Sequence, residues 1–150
     1  MADRIEKKVT LDAPVGRVWQ ALTDHREFGD WFGVALDGPF EPGKTSRGKI
    51  THPGYEHLKW EANIEAMEKE RRFAMTWHPY AVDSDKDYSN EYPTRVEFAL
   101  EQEGTGTRLR VTEDGFDKVP ADRREEAYRM NQSGWEAQME NIGAYLMRKR

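Results

Sequence analysis

The fold is indicated by two stretches, Thr10-Leu-Asp-Ala-Pro-Val-Gly-Arg-Val-Trp-Gln-Ala-Leu-Thr-Asp24 and Gly134-Trp-Glu-Ala-Gln-Met-Glu-Asn-Ile-Gly-Ala-Tyr-Leu146. The first predicts a strand end followed by a helix, because Asp12 suits the N-cap and Pro14 suits a first helical turn. The second carries apolar residues three or four apart, which predicts one long amphipathic helix opening at Pro120.

Between these stretches, apolar and polar residues alternate as they do in half-buried strands. The alternation predicts strands around residues 5–11, 45–51, 58–66, 73–77, 96–100 and 109–111. A second short helix is expected over 25–32, with Gly33 ending it. The polar segment 79–93 is expected to be a loop, and Gly104-Thr-Gly106 gives the strongest hairpin signal.

The order of these elements predicts an α+β fold. One strand and two short helices come first, several antiparallel strands follow, and a long helix closes the chain. A sheet cannot bury its apolar face alone, so we expect one curved antiparallel sheet wrapped around the final helix, with a cavity between them. The 150 residues contain no internal repeat or linker, which predicts a single domain over 1–150.

Composition narrows the function classes. The net charge is −5 with both signs interspersed, which argues against nucleic acid as a partner. No cysteine is present, which removes thiolate chemistry and fits a cytoplasmic location. No apolar stretch near the start indicates a signal peptide, and none approaches the length needed for membrane insertion.

At the level of motifs, the sequence resembles the helix-grip superfamily (SRPBCC), which includes the START lipid-transfer domains and the birch-pollen allergen type. Within it, the sequence is similar to the branch related to the activator of heat shock protein 90 ATPase. The resemblance rests on Ala13-Pro14, Val18-Trp-Gln-Ala-Leu-Thr23, Trp31-Phe32, Gly106-Thr-Arg-Leu109 and Gly134-Trp135. It covers nearly the whole chain. One departure is Pro42-Gly43-Lys44, where the family often has Pro-Gly-Gly.

The resemblance implies a hydrophobic cavity between the sheet and the final helix. We predict that ligand contacts come from inward-facing aromatic, aliphatic and amide side chains. An ordinary core is the competing interpretation, and for the two amides a bond to backbone or buried water is favoured. The candidate positions are Trp31, Phe32, Trp60, Ile64, Met75, Trp77, Phe98, Asn131, Trp135, Gln138 and Met139.

Three functional hypotheses follow. The first is a binding module for a lipophilic small molecule, with no cofactor. The second is a chaperone regulator or stress-response protein acting through a protein partner. The third is an enzyme similar to polyketide cyclases and hydrolases, which the almost wholly apolar inward positions disfavour.

Few titratable residues are candidates for chemistry. The enzyme hypothesis would be supported if His78, Glu61 or Arg95 pointed inward with a displaced pKa. His52 and His57 span a turn with only Glu56 near in sequence, so we expect no metal site.

Overall fold

The computed structural model describes residues 4–79 and 86–148. Within these residues the strands are β1 (Arg4–Leu11), β2 (Val34–Leu36), β3 (Thr45–Ile50), β4 (Lys59–Glu68), β5 (Arg72–Trp77), β6 (Thr94–Glu103) and β7 (Gly106–Asp114). The helices are α1 (Val15–Thr23), α2 (His25–Phe32) and α3 (Ala121–Arg148), with a 3-10 turn at Phe116–Lys118. The strands form one antiparallel sheet in the order β1-β7-β6-β5-β4-β3-β2.

The predicted second helix is confirmed at both of its ends. The Asp24 carboxylate accepts hydrogen bonds from the backbone N–H groups of Arg26 and Glu27 at 2.9 and 3.2 Å, which caps the first turn of α2. Gly33 ends the helix with φ of 92°, a left-handed conformation that favours glycine.

The predicted cap of α1 was wrong. Pro14, and not Asp12, occupies the N-cap, and the helix begins at Val15. The Pro14 carbonyl accepts the N–H groups of Arg17 and Val18 at 2.9 and 3.1 Å, so the backbone opens this helix without a capping side chain.

Strand β2 was not predicted from the sequence. Its three residues follow Gly33 directly and are too few to show an alternating pattern. The close return of the chain depends on Gly29, where an added Cβ would lie 2.3 Å from the Val34 carbonyl oxygen.

The central hairpin and the long helix confirm the predicted α+β architecture. Strands β6 and β7 pair from Arg95↔Asp114 to Glu103↔Gly106, as the glycine-rich turn predicted. Helix α3 lies against the curved sheet on the predicted apolar stripe. The buried residues of α3 are Ala127, Trp135, Met139, Ile142, Tyr145 and Leu146.

The segment between β5 and β6 is tied to the start of α3. Arg123 donates to the Pro79 carbonyl at 2.6 Å and forms an ion pair with Glu91 at 2.5 Å. The expected loop is confirmed over residues 86–93, while residues 80–85 of that prediction lie outside the described residues. None of the described helices has an apolar stretch long enough to cross a membrane.

Candidate functional site

Five aromatic side chains from five different elements meet between the sheet and α3. We call Phe32, Trp60, Trp77, Phe98 and Trp135 the aromatic cluster. The Trp77 and Trp135 rings are stacked with centroids 5.6 Å apart, and Trp60 lies 5.5 Å from Trp77. Phe32 contacts the rings of all three tryptophans at 5.2–6.3 Å, and Phe98 lies 5.6 Å from Trp135.

The sequence positions explain why these rings meet. Trp60, Trp77 and Phe98 take the inward phase of β4, β5 and β6, and Trp135 lies on the buried stripe of α3. Phe32 ends α2, immediately before the Gly33 turn. Phe32 and Trp77 keep partial solvent exposure, whereas Trp60 and Trp135 are each 3% exposed.

A fully buried carboxylate lies next to this cluster. Glu113 of β7 has no solvent exposure. Its Oε2 accepts from the Trp77 indole N–H at 2.7 Å and from the Thr94 hydroxyl at 2.6 Å. Its Oε1 accepts from the Trp135 indole N–H at 2.8 Å, and the Asn131 amide lies 3.0 and 3.2 Å from the two oxygens. Glu113 therefore joins β5, β6, β7 and α3.

The partners of Glu113 match the ionised form of its carboxylate. Indole N–H groups and the amide NH₂ of Asn131 only donate, and an ionised carboxylate only accepts. None of the ion pairs among the described residues includes Glu113. All four hydrogen-bonding partners of this carboxylate are therefore neutral groups.

Glu113 was not predicted as a site residue, and the prediction that the inward positions are almost wholly apolar was wrong at this point. Leu109 and Val111, which predicted the last strand, are both buried, and Glu113 continues their alternation two residues on. The strand extends to Asp114, whereas the prediction ended it at Val111.

The two predicted amides make different contacts. Asn131 binds the Glu113 carboxylate, while the Gln138 amide donates to the Phe32 backbone carbonyl at 2.9 Å and so joins α3 to α2. The Trp31 indole donates to the Ala21 carbonyl at 2.8 Å, on the α1 side of the cluster. The aliphatic candidates are all buried in the core: Ile64, Met75 and Met139.

The three titratable residues named for the enzyme hypothesis do not point into the interior. Glu61 is exposed and pairs with Arg47 at 3.2 Å. Arg95 pairs with Glu65 at 2.6 Å, and the pKa of Arg95 is raised because these carboxylate contacts outweigh its burial. His78 bonds the Glu91 carbonyl at 2.9 Å through Nε2.

A cleft of about 610 Å³ opens beside the aromatic cluster. Trp60 belongs to the cleft and to the aromatic cluster, because it lines the cleft and contacts Phe32 and Trp77 in the interior. The cleft lies between the β3–β4 pair and residues 86–89. Its lining is Asp37, Arg47, Gly48, Lys49, His57, Leu58, Lys59, Trp60, Glu61, His78, Lys86, Asp87, Tyr88 and Ser89.

The described part of the chain holds no group of three His, Asp or Glu side chains placed to bind one metal ion. Near His52 and His57, the Glu56 carboxylate accepts the Gly54 backbone N–H at 2.8 Å.

Family membership follows from a match that covers most of the chain. A family model described as Activator of Hsp90 ATPase homolog 1-like protein matches residues 12–147. The chain belongs to this family. No curated protein shows significant similarity to the sequence.

Solved structures share the fold of this chain. MLL2253 from Mesorhizobium loti is 22% identical with a TM-score of 0.77, over 98% of each chain. CalU16 from Micromonospora echinospora is 22% identical with a TM-score of 0.65, over 95% of this chain and 73% of its own. DynU16, from the dynemicin biosynthetic locus, is 22% identical with a TM-score of 0.74, and the match covers 98% of this chain but 48% of that one. The helix-grip resemblance is confirmed, and at this identity these structures establish the fold alone.

Proposed function

We propose that this protein is a binding module for a lipophilic small molecule, held between the curved sheet and α3. The proposal rests on a continuous series of aromatic rings that leads from the edge of the cleft into the interior. The series begins at Trp60 on the cleft, passes to Trp77 at 5.5 Å, and reaches Trp135 at 5.6 Å, beside Glu113.

The cleft reaches these rings at Trp60, which is its one member of the aromatic cluster. The cleft volume of about 610 Å³ lies within the range of pockets that hold small molecules, roughly 300–1,000 Å³. Phe32 and Trp77 are partly exposed, in contrast to Phe28 behind them, which has no solvent exposure. We infer that a ligand in the cleft displaces Trp60, which is 3% exposed, and then meets these two partly exposed rings.

Aromatic rings suit this task for a physical reason. They offer large apolar faces, and they lose little conformational entropy when a ligand orders them, because each ring has only two side-chain torsions. The rings of the cluster contact one another, so binding requires Phe32 or Trp77 to exchange a protein contact for a ligand contact. We propose the eleven predicted positions as the set from which such contacts come, with the aromatic cluster at its centre.

The proposal is tested with N-phenyl-1-naphthylamine, whose fluorescence rises in an apolar environment. We expect a saturable rise with the wild-type protein. Trp77→Leu alters the affinity at least fivefold, while Trp19→Leu, on α1 and outside the cluster, leaves it unchanged. No saturable rise with folded protein, or equal effects of the two substitutions, would contradict the proposal.

The two alternatives have less support on this chain. A chaperone partner is suggested by the family description. Among the described residues, however, the exposed large apolar side chains are spread over two loops, the first half of α3 and its last turn: Tyr55, Tyr92, Met130 and Met147. An enzyme is suggested by a carboxylate in the interior, but no second titratable group bonds Glu113 within the described residues. A cytoplasmic location stays part of the proposal.

A further inference from the structure

The charge of Glu113 has consequences for the kind of ligand that the interior accepts. A buried carboxylate is stable only when its oxygens have partners, and here all four partner groups are neutral. Two of these groups are the indoles of Trp77 and Trp135, which are stacked members of the aromatic cluster. Trp77, one of the two rings that a ligand is proposed to displace, is therefore also a donor to the buried carboxylate.

Displacing either indole leaves a Glu113 oxygen with one donor fewer. A hydrocarbon that moves Trp77 leaves Oε2 with the Thr94 hydroxyl and the more distant Asn131 amide. A ligand carboxylate adds a second negative charge beside a side chain that has no solvent exposure. A ligand ammonium replaces the lost donor, adds an opposite charge, and is attracted by the faces of the surrounding indoles.

We propose that the interior selects lipophilic amines in their protonated form, and that Glu113 is the residue that determines this selectivity. The inference rests on the proposed function, since it concerns the same site. The cleft lining carries both signs of charge, with four lysine and arginine and three aspartate and glutamate side chains. Within the described part of the chain, Glu113 is the one ionisable carboxylate or basic side chain that is buried, so we attribute the selectivity to it.

The test compares three naphthalene probes of similar size by isothermal titration calorimetry. They are 1-naphthylmethylamine, which is a cation at pH 7, neutral 1-methylnaphthalene, and the anion 1-naphthylacetate. We expect the wild-type protein to bind the amine at least tenfold more tightly than the neutral probe, and to bind the anion most weakly. In Glu113→Gln the amine and the neutral probe should differ by less than about twofold.

A second variant keeps the charge and changes only its partners. Thr94→Val removes the hydroxyl that donates to Glu113 Oε2 and changes the shape of the side chain little. The carboxylate then has one hydrogen-bond donor fewer to stabilise its negative charge. We expect the amine to bind this variant several-fold more tightly than it binds the wild type, with the neutral probe unchanged. A purely structural role of Glu113 predicts equal or weaker binding of both probes. If Glu113→Gln fails to fold, Thr94→Val still distinguishes a selectivity role of Glu113 from a purely structural one.

The outcomes separate the two proposals. Equal affinity of the wild-type protein for the amine and the neutral probe overturns the selectivity inference and leaves the binding function standing. A tenfold amine preference that persists in folded Glu113→Gln also overturns it. No binding of any probe by folded wild-type protein contradicts both.

Discussion

The indole N–H of Trp135 donates to the Glu113 carboxylate over 2.8 Å, which joins α3 to β7 in a region without solvent exposure. Hydrogen bonds to a charged acceptor are roughly twice as strong as those between neutral groups. This bond therefore fixes the position of the long helix over the sheet more firmly than apolar packing alone. It also places a ring of the aromatic cluster directly beside the buried charge.

The contribution of this bond to stability can be compared with that of a hydrogen bond between neutral groups in the same protein. Trp31 is also buried, and its indole donates to the Ala21 carbonyl at the same distance of 2.8 Å. We expect Trp135→Phe to lower the free energy of unfolding by about 1 kcal/mol more than Trp31→Phe does, because its lost acceptor is charged. Urea unfolding of both variants checks this. Equal losses in the free energy of unfolding would show that the hydrogen bond to Glu113 stabilises the protein no more than the hydrogen bond to a backbone carbonyl.

Acid is expected to weaken the contact between the 86–93 segment and α3. Burial raises the pKa of Glu91, but its ion pairs and hydrogen bonds with Arg123 and Lys86 outweigh this and hold the pKa below the usual value of 4.5. A lowered folded-state pKa gives stability that is present above pH 4.5 and is lost as the pH falls through the folded-state value.

The variant Glu91→Gln isolates this contribution. We expect it to be less stable than the wild type at pH 7 and to show a smaller loss of stability between pH 5 and pH 3, by about the amount that the ion pairs supplied. Glu140→Gln, at an exposed position of α3, serves as the control and should follow the wild-type curve. Parallel curves for Glu91→Gln and the wild type would contradict the assignment.

Two helical glycines should respond to alanine in opposite directions. At Gly29 the added Cβ meets the Val34 carbonyl oxygen at 2.3 Å, so α2 and β2 must separate. At Gly134 in α3 the added Cβ meets nothing within 4 Å, and alanine is favoured in a helix by about 0.5–1 kcal/mol. Thermal unfolding should show Gly29→Ala below the wild type and Gly134→Ala above it. A stabilised Gly29→Ala would contradict the described α2–β2 turn.

Two lysines lie opposite each other on β3 and β4, the two strands that line the cleft. Lys49 and Lys59 are exposed and directly opposite in the β3–β4 register. Like charges in this position are destabilising, and opposite charges contribute about 0.2–1 kcal/mol. We therefore expect Lys59→Glu to raise the free energy of unfolding at low salt, and to lose this gain in 1 M NaCl, where charges are screened. A gain that salt does not change would point to a different cause.

The sequence predicted those features that depend on local pattern. The end of α2 followed from the terminal glycine Gly33, and the apolar stripe of α3 followed from helical spacing. The pairing of Trp60, Trp77 and Trp135 as inward-facing rings also followed from strand and helix phase. These signals lie within a few residues of one another, so no tertiary information is needed to detect them.

The features that were missed depend on contacts between distant parts of the chain. The donors to Glu113 lie 18 to 36 residues away, on three other elements, and no local pattern brings them together. A charged residue on an inward phase conflicts with the usual cost of burying a carboxylate, so the strand was ended too early. Gln138 similarly binds the Phe32 carbonyl, a partner 106 residues away in sequence.

Ligand binding between the sheet and α3 can be followed by an NMR titration of the tryptophan indole N–H signals with 1-naphthylmethylamine. We expect saturable shifts of the Trp60, Trp77 and Trp135 signals, with the Trp19 and Trp31 signals unchanged. Unchanged signals from all five tryptophans in folded protein, or shifts confined to Trp19 and Trp31, would show that the ligand does not bind there.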